Sequence, residues 1–202
     1  MHTGLNTILI SGPMGQVGKT TVIRILSAYW KRYRSAQTMS VSSLPGMMPM
    51  AADDEPDLGD IWQSLSQQQQ DYPMVLIEGG GGLGTPVTYD TTMAHLARDW
   101  RLPTILVVPA QWEAIAPAIA AIALARQSRL DLVGVILNTP NLEADCQPDA
   151  MGHLLRTLTQ VNLLGTIPFL GDGNDEAYLC QVASNLLLEP IMGHPVIQET
   201  HV

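Results

Sequence analysis

Short apolar runs alternate along this chain with longer stretches in which apolar residues recur at helical spacing. This alternation constrains the fold more than any other feature, because strand-helix-strand units assemble into a parallel sheet covered by helices. Most of the short runs are apolar throughout, as expected for strands that are buried on both faces. The sequence therefore predicts an α/β fold: a doubly wound, mostly parallel sheet with helices on both faces.

The predicted strands cover Thr7–Ser11, Thr38–Ser42, Met74–Ile77, Thr104–Val108, Leu132–Leu137 and Leu164–Ile167. The predicted helices cover Lys19–Arg34, Leu58–Gln69, Thr91–Trp100, Ala114–Gln127, Asp149–Thr159 and Glu176–Leu188. Residues 44–57 lack periodicity and are predicted to form a mobile loop. We expect residues 1–202 to form a single domain, with a loose tail from about residue 190, where Pro190 interrupts the helical pattern.

The charge balance of the chain limits its partners. Asp plus Glu is 19 and Lys plus Arg is 10, which gives a formal net charge of −9 at pH 7. An acidic chain of this kind lacks the basic surface that binds a nucleic-acid backbone, so we expect no nucleic-acid partner. No apolar stretch approaches the roughly 20 residues that span a bilayer, and no secretory signal is recognisable. We therefore expect a cytoplasmic protein with no membrane contact.

The stretch LISGPMGQVGKTTV, residues 9–22, contains most of a phosphate-binding loop. It joins a predicted strand to a predicted helix, as the G-x-x-x-x-G-K-[ST] pattern requires, although Pro13 stands where the first glycine is expected. In such loops backbone N–H groups and a lysine bind phosphates, and the next hydroxyl binds Mg²⁺, here Thr20. The alternative is an accidental glycine-rich turn. The predicted phosphate-binding residues are Gly15, Val17, Gly18, Lys19, Thr20 and Thr21.

The run VLIEGGGG, residues 75–82, places the carboxylate of Glu78 at the end of a buried strand. At the carboxyl edge of a parallel sheet, a strand-end acid beside the phosphate loop is suited to a Mg²⁺ contact. The glycines that follow permit close approach of the backbone to a ligand. The alternative is a strand-end acid before a flexible turn. Asp53 and Asp54 are a further candidate metal contact, or part of a solvated acidic loop.

These stretches together resemble the dethiobiotin synthetase family, within the wider group of P-loop proteins that includes the MinD/ParA-type ATPases. The family's loop runs G-T-x-T-x-V-G-K-T, and GPMGQVGKT at residues 12–20 has the same spacing, which accounts for Pro13. Residues 75–82 are similar to the family's V-L-V-E-G-A-G-G, and residues 85–87 to its T-P-L. The likeness also covers residues 102–108, 134–138 and 164–169.

The resemblance implies ATP and Mg²⁺ as cofactors and a homodimer as the assembly. It implies that Gln16 to Thr21 hold the ATP phosphates, with Lys19 as the catalytic residue. Thr20 and Glu78 would hold Mg²⁺. The remaining implied contacts are Gly81 with the substrate and Asn138 with the adenine edge, helped by backbone around Pro168. A strand-end asparagine that caps a turn is the alternative for Asn138.

On the substrate side, the chain departs from the family. The family has a Lys-Pro pair after the second strand, whose lysine serves carbamate and phosphate, but residues 39–43 here read MSVSS. Lys19 and Lys31 are the only lysines in the chain. The family's L-G-x-x-N-H segment is replaced by WEAIAP at residues 112–117, and the segment before Glu78 is shorter than the family's.

Three functional hypotheses follow from this pattern. The first is an ATP- and Mg-dependent enzyme of the dethiobiotin synthetase type, which carboxylates a diamine such as diaminopelargonic acid and closes a ureido ring. The second is a MinD/ParA-like nucleotide-dependent switch or accessory ATPase without that activity. The third is a structural domain that binds nucleotide without turnover. The expected partner is accordingly a small-molecule substrate or a protein.

Overall fold

The computed structural model describes residues 7–34, 39–44, 56–141, 147–171 and 175–192. The strands are β1 (Thr7–Ser11), β2 (Met39–Leu44), β3 (Met74–Gly79), β4 (Thr104–Pro109), β5 (Leu132–Asn138) and β6 (Leu163–Ile167). The helices are α1 (Lys19–Tyr33), α2 (Leu58–Asp71), α3 (Met93–Asp99), α4 (Ile115–Gln127), α5 (Pro148–Thr159), α6 (Glu176–Ser184) and α7 (Glu189–Met192). Most of the predicted mobile loop lies outside the described residues, together with Asp53 and Asp54.

The six strands form one sheet in the order β2-β3-β1-β4-β5-β6, and all its strand pairs are parallel. This confirms the predicted doubly wound α/β fold. From β1 the chain runs to one side of the sheet for β2 and β3 and to the other side for β4, β5 and β6. A ligand crevice is expected at the carboxyl ends of the strands where this direction reverses, which is next to β1.

Helices cover both faces of the sheet and explain why its central strands are apolar throughout. Ile8 and Ile10 of β1 pack in one core with buried residues of α1 and α6, and Leu9 packs in a second core with residues of α3, α4 and α5. All three side chains have no exposed surface. Within the described residues, none of the helices has the length and apolar character needed to cross a membrane.

The last predicted helix is wrong at its carboxyl end, because α6 stops at Ser184 and not at Leu188. The backbone then leaves the helix, and the N–H of Leu187 donates to the carbonyl of Leu164 in β6 at 2.7 Å. This bond satisfies a carbonyl of β6, which is an edge strand of the sheet that the described residues form. The described part of the predicted tail forms α7, in which Ile191 is 1% exposed.

Candidate functional site

The loop between β1 and α1 has a backbone shape that demands glycine at two positions. Gly18 has φ +94°, the left-handed region that side chains disfavour. A Cβ at Gly12 would lie 2.6 Å from the Val17 side chain and 3.0 Å from the Val107 carbonyl oxygen. A Cβ at Gly15 would meet nothing within 4 Å. The tight packing of this loop therefore depends on Gly12, which the family spacing singles out, and not on Gly15.

Helix α1 begins directly after this loop, with Gly18 at its amino-terminal cap and Thr21 in its first turn. Gly18 has no side chain to accept a bond from the helix, and the first turn contains no acidic residue. The N–H groups of a first helical turn lack partners within the helix and carry partial positive charge, which favours an anion there. The exposed Gln16, at φ +57°, lies in the same loop. The phosphate contacts of these residues stay predictions, and this geometry suits them.

Lys19 connects the phosphate loop to the glycine turn after β3. Its Nζ donates to the carbonyl oxygen of Gly81 at 2.9 Å, and the residue is only 6% exposed. Burial lowers the pKa of the Lys19 ammonium below its usual range, and the nearby negative Glu78 partly opposes that shift. The bound ammonium therefore lies at the junction of the two segments in which the sequence places the phosphates and the substrate.

The two predicted metal ligands lie in direct contact. Glu78 is the register partner of Ile10 in β1, and this brings it beside the start of α1. The hydroxyl of Thr20 donates to Oε1 of Glu78 at 2.7 Å. One carboxylate and one hydroxyl are oxygen donors that suit a hard divalent cation whose other ligands are phosphate oxygens and water. In the described ranges, no group of three or more His, Cys, Asp or Glu residues could hold a metal.

The glycine turn packs tightly against the phosphate loop. Gly81 has φ +71°, and a Cβ there would overlap the side chain of Thr85, whose Oγ1 accepts from the N–H of Gly82 at 2.8 Å. A Cβ on Gly82 would lie 2.6 Å from the carbonyl oxygen of Pro13. The bond between Thr85 and Gly82 and the packing of Gly82 on Pro13 were not predicted from the sequence. The run of glycines and the T-P pair that follows it are the signals that could have indicated them.

Asn138 ends β5 and lies under the phosphate loop. Its side chain is 7% exposed, and Nδ2 donates to the carbonyl oxygen of Val17 at 3.1 Å. Pro168 is exposed just beyond the neighbouring β6, and the N–H of Thr139 donates to the carbonyl of Ile167 at 2.9 Å. The structure thus places Asn138 near the predicted phosphate site through a contact that sequence reasoning missed. The adenine contacts of Asn138 and Pro168 stay predictions.

The substrate-side departures lie at the same edge of the sheet. Residues 39–43 belong to β2, and Ser43 is the register partner of Glu78. Trp112, in the 3-10 turn that precedes α4, is 48% exposed. Ala116 and Pro117, at the positions of the family's Asn-His pair, lie in the first turn of α4. The serines and apolar residues of β2 therefore take the place of the lysine of the dethiobiotin synthetase motif, and Ala116 and Pro117 take the place of its Asn-His pair.

The chain is a P-loop nucleotide-binding protein. Its parallel sheet has a glycine loop, a buried lysine and a hydroxyl-carboxylate pair at the carboxyl ends of the central strands, which together define this class.

A family model described as an AAA domain matches residues 44–177. Solved structures of similar fold include a chain of the MinC:MinD cell division protein complex of Aquifex aeolicus, at 12% identity with a TM-score of 0.57 over 98% of this chain and 100% of that chain. The cell division ATPase MinD of Pyrococcus furiosus is 14% identical with a TM-score of 0.56 over 89% and 98%. At these identities the likeness shows the fold alone.

More similar sequences identify the family within this class. ATP-dependent dethiobiotin synthetase BioD of Crocosphaera subtropica is 36% identical over 92% of this chain and 99% of that protein. BioD of Gloeothece citriformis is 35% identical over 92% and 98%, and that of Synechocystis 33% over 92% and 94%. The chain belongs to the dethiobiotin synthetase family. Membership implies the use of ATP and a divalent metal.

Proposed function

We propose that this protein is an ATP-dependent dethiobiotin synthetase, which converts a diamine such as diaminopelargonic acid into a cyclic urea. One amine takes up carbon dioxide to form a carbamate, and the carbamate oxygen attacks the γ-phosphorus of ATP, releasing ADP. The second amine then attacks the carbamate carbon, and phosphate leaves as the ring closes. The observation that carries the proposal is the 33–36% identity to dethiobiotin synthetases over 92% of this chain. The Lys19–Gly81 contact of 2.9 Å supports it, because it joins the predicted phosphate and substrate segments.

The phosphates of ATP would bind at Gly15, Gln16, Val17, Gly18, Lys19, Thr20 and Thr21. The open N–H groups at the start of α1 favour negative charge there, and the buried ammonium of Lys19 adds a full positive charge. A charge held in a water-poor site stabilises the charge that develops on the transferring phosphoryl group more than it would in water. Lys19 is therefore the catalytic residue of the proposal.

Mg²⁺ is the proposed divalent ion, with Thr20 and Glu78 as its protein ligands. The 2.7 Å contact between their oxygens supports this, because a small cation binds two such donors together with phosphate oxygens. When bound, Mg²⁺ would neutralise charge on the β and γ phosphates. Glu78, held in β3 beside β1, and Thr20, in the first turn of α1, fix the position of that charge relative to Lys19.

Gly81 is the proposed substrate contact, and Pro168 and Asn138 are the residues to which the resemblance assigns the adenine. The tight turn around Gly81 leaves no room for a Cβ, and a glycine there lets a ligand approach the backbone closely. A homodimer and a location in the cytoplasm complete the proposal, both on the strength of the family. Light scattering of the purified protein tests the first: a dimer mass supports it, and a monomer mass at micromolar concentration contradicts it.

A nucleotide-dependent switch or accessory ATPase is the second candidate function. It is favoured by residues 39–43 and 112–117, where the family's Lys-Pro and Asn-His motifs are absent. Lys31, the one other lysine, forms an ion pair with Glu176 at 2.8 Å between α1 and α6, so it does not replace the missing one. An ATPase that has lost its substrate chemistry would still bind Mg-ATP.

The decisive experiment incubates the purified protein with diaminopelargonic acid, bicarbonate and Mg-ATP. The expected result is equal amounts of phosphate and cyclic urea, identified by mass spectrometry, and about 100-fold less urea or lower still with Lys19→Ala. Phosphate release without cyclic urea would reject the synthetase and favour the switch. Absence of both products, with Mg-ATP still bound, would leave a domain that binds nucleotide without turnover.

A further inference from the structure

A groove lies between the carboxyl-terminal end of α1 and one face of α6, apart from the candidate nucleotide site. Its volume of about 580 Å³ is in the range of small-molecule sites. The lining side chains with polar groups include Arg32, Tyr33, Cys180, Gln181, Ser184 and Asn185. Helix α1 has 15 residues, so its groove end is roughly 20 Å from Lys19 at its start.

The two walls of the groove meet around Cys180, which is 7% exposed. Burial raises the pKa of the Cys180 thiol above its usual range, and the positive charge of Arg32 and a hydrogen bond with Tyr33 partly oppose that shift. These two residues of α1 therefore lie beside the middle of the lining face of α6. Gln181 and Ser184 continue that face along the helix.

Arg32 gives the groove a positive charge that is not neutralised within the described part of the chain. The carboxylate of Glu176, which also lines the groove, pairs with Nζ of Lys31 at 2.8 Å. Among the described residues, Arg32 has no such ion-pair partner. A guanidinium binds a carboxylate through two parallel hydrogen bonds. The α1 wall of the groove therefore favours a carboxylate on the ligand.

The polar groups on the α6 side suit an amide-type group and not a second charge. Gln181 and Asn185 carry side-chain amides, each of which offers two N–H donors and an acceptor oxygen. The hydroxyl of Ser184 donates to the carbonyl of Cys180 at 3.0 Å, which leaves its oxygen free to accept. A ureido group has the complementary set, a carbonyl acceptor and N–H donors.

We propose that this groove is a second binding site, which takes a small carboxylic acid that also carries a ureido or amide group. Arg32 binds the carboxylate, and the amides of Gln181 and Asn185 bind the ureido group. Dethiobiotin belongs to this class, because ring closure uses the two amines of diaminopelargonic acid and leaves its carboxylate free. The choice of dethiobiotin rests on the proposed function, whereas the class of ligand follows from the groove.

Calorimetric titration of dethiobiotin into the wild-type protein and its variants tests the proposal. We expect Arg32→Ala to weaken binding at least tenfold, because it removes a hydrogen-bonded charge pair. Gln181→Ala should weaken it about fivefold, as for one neutral hydrogen bond. Lys19→Ala should bind dethiobiotin as the wild type does, since Lys19 lies at the other end of α1.

The matched control is Arg24→Ala. Arg24 is an exposed arginine of the same helix that does not line the groove, so this variant loses the same charge and should keep the wild-type affinity. Arg32 is in the last turn of α1, where a cation also stabilises the helix dipole. A purely structural role would therefore lower the melting temperature of Arg32→Ala without changing its affinity for dethiobiotin.

The outcomes separate this site from the proposed synthetase. No binding to the wild type at millimolar dethiobiotin, or equal affinity in Arg32→Ala, overturns the inference, and formation of cyclic urea would still support the synthetase. Binding that depends on Arg32 in a protein that forms no cyclic urea supports the groove and rejects the synthetase. Equal weakening in Arg24→Ala and Arg32→Ala would assign the effect to net charge and also overturn the inference. Should Arg32→Ala not fold, Gln181→Ala decides in the same way.

Discussion

The carboxyl ends of β3 and β2 lie side by side in the sheet, yet they differ sharply in how their side chains are held. At the end of β3, Glu78 bonds to Thr20, and the next turn accepts a bond from Lys19. On β2, the register partner of Glu78 is Ser43, an exposed residue on an edge strand. The difference teaches that this chain holds the side chains of its proposed phosphate site more firmly than those of its proposed substrate side.

The position of each strand explains the contrast. Strand β3 has β1 on one side and β2 on the other, so its backbone and its carboxylate are fixed by neighbours. Among the described residues, strand β2 has a neighbouring strand on one side only, and Val41 in its middle is 50% exposed. An edge strand satisfies fewer of its groups within the sheet and tolerates more change in sequence. Loss of a family motif from β2 therefore leaves the fold around the proposed phosphate site intact.

The largest expected effect comes from Lys19→Ala, which removes the cation that joins the two loops. Phosphoryl transfer depends on positioned positive charge, so we expect kcat/KM for ATP to fall about 100- to 1,000-fold. Steady-state phosphate release measures this. Lys31→Ala is the control, because its ion pair with Glu176 is exposed and contributes little. Equal activity in Lys19→Ala and the wild type would place the cation for phosphoryl transfer elsewhere and break the contrast between the two strand ends.

Much of the fold could be predicted from the sequence because the signals are local. The five residues of β1 are all buried, and their apolar run gave its bounds, Thr7–Ser11, without error. The lysine, the hydroxyl and the acid of the candidate site could be predicted from spacing within two short segments. The register of β1 against β3 then brings these segments together, as parallel neighbours at the carboxyl edge of a sheet must do.

The contacts that complete the site could not be predicted, because they join residues that are distant in sequence. The bond from Asn138 to Val17 and the packing of Gly82 on Pro13 depend on the order of the strands and on the exact path of two loops. The early end of α6 has the same kind of cause, since the bond from Leu187 to Leu164 competes with continued helix. Periodicity reports which face of an element is buried, and not which partner stops it.

A smaller effect is expected from Gly82→Ala, which tests how tightly the glycine turn packs on the phosphate loop. The new Cβ would lie 2.6 Å from the Pro13 carbonyl oxygen and 2.9 Å from the Met14 nitrogen, both backbone atoms that move only with the loop. Overpacking of this kind costs about 1 to 3 kcal/mol of the free energy of unfolding. Urea denaturation measures it, and Mg-ATP should stabilise the variant less than the wild type.

Gly84→Ala is the matched control for Gly82→Ala. A Cβ at Gly84 has its nearest neighbour at 3.7 Å, on the flexible side chain of Leu124, which is an ordinary contact. Its free energy of unfolding should stay within about 0.5 kcal/mol of the wild type. If both variants lose the same stability, the glycine run is needed for chain flexibility in general, and the close contact with the phosphate loop has no special role.

The smallest expected effect is the pH dependence of nucleotide affinity, which reports on the burial of Lys19. Burial lowers the Lys19 pKa in the free protein, whereas bound phosphate favours the ammonium and raises it. Binding therefore takes up a proton in the alkaline range, and affinity falls as pH rises, by about twofold where pH equals the pKa of the free protein. Calorimetry from pH 7.5 upward measures the fall. In Lys19→Arg the guanidinium stays charged, so its affinity should not change over this range. An equal fall in both proteins would assign the titration to another group. Lys19 would then not be what holds the proposed phosphate site more firmly than the β2 side.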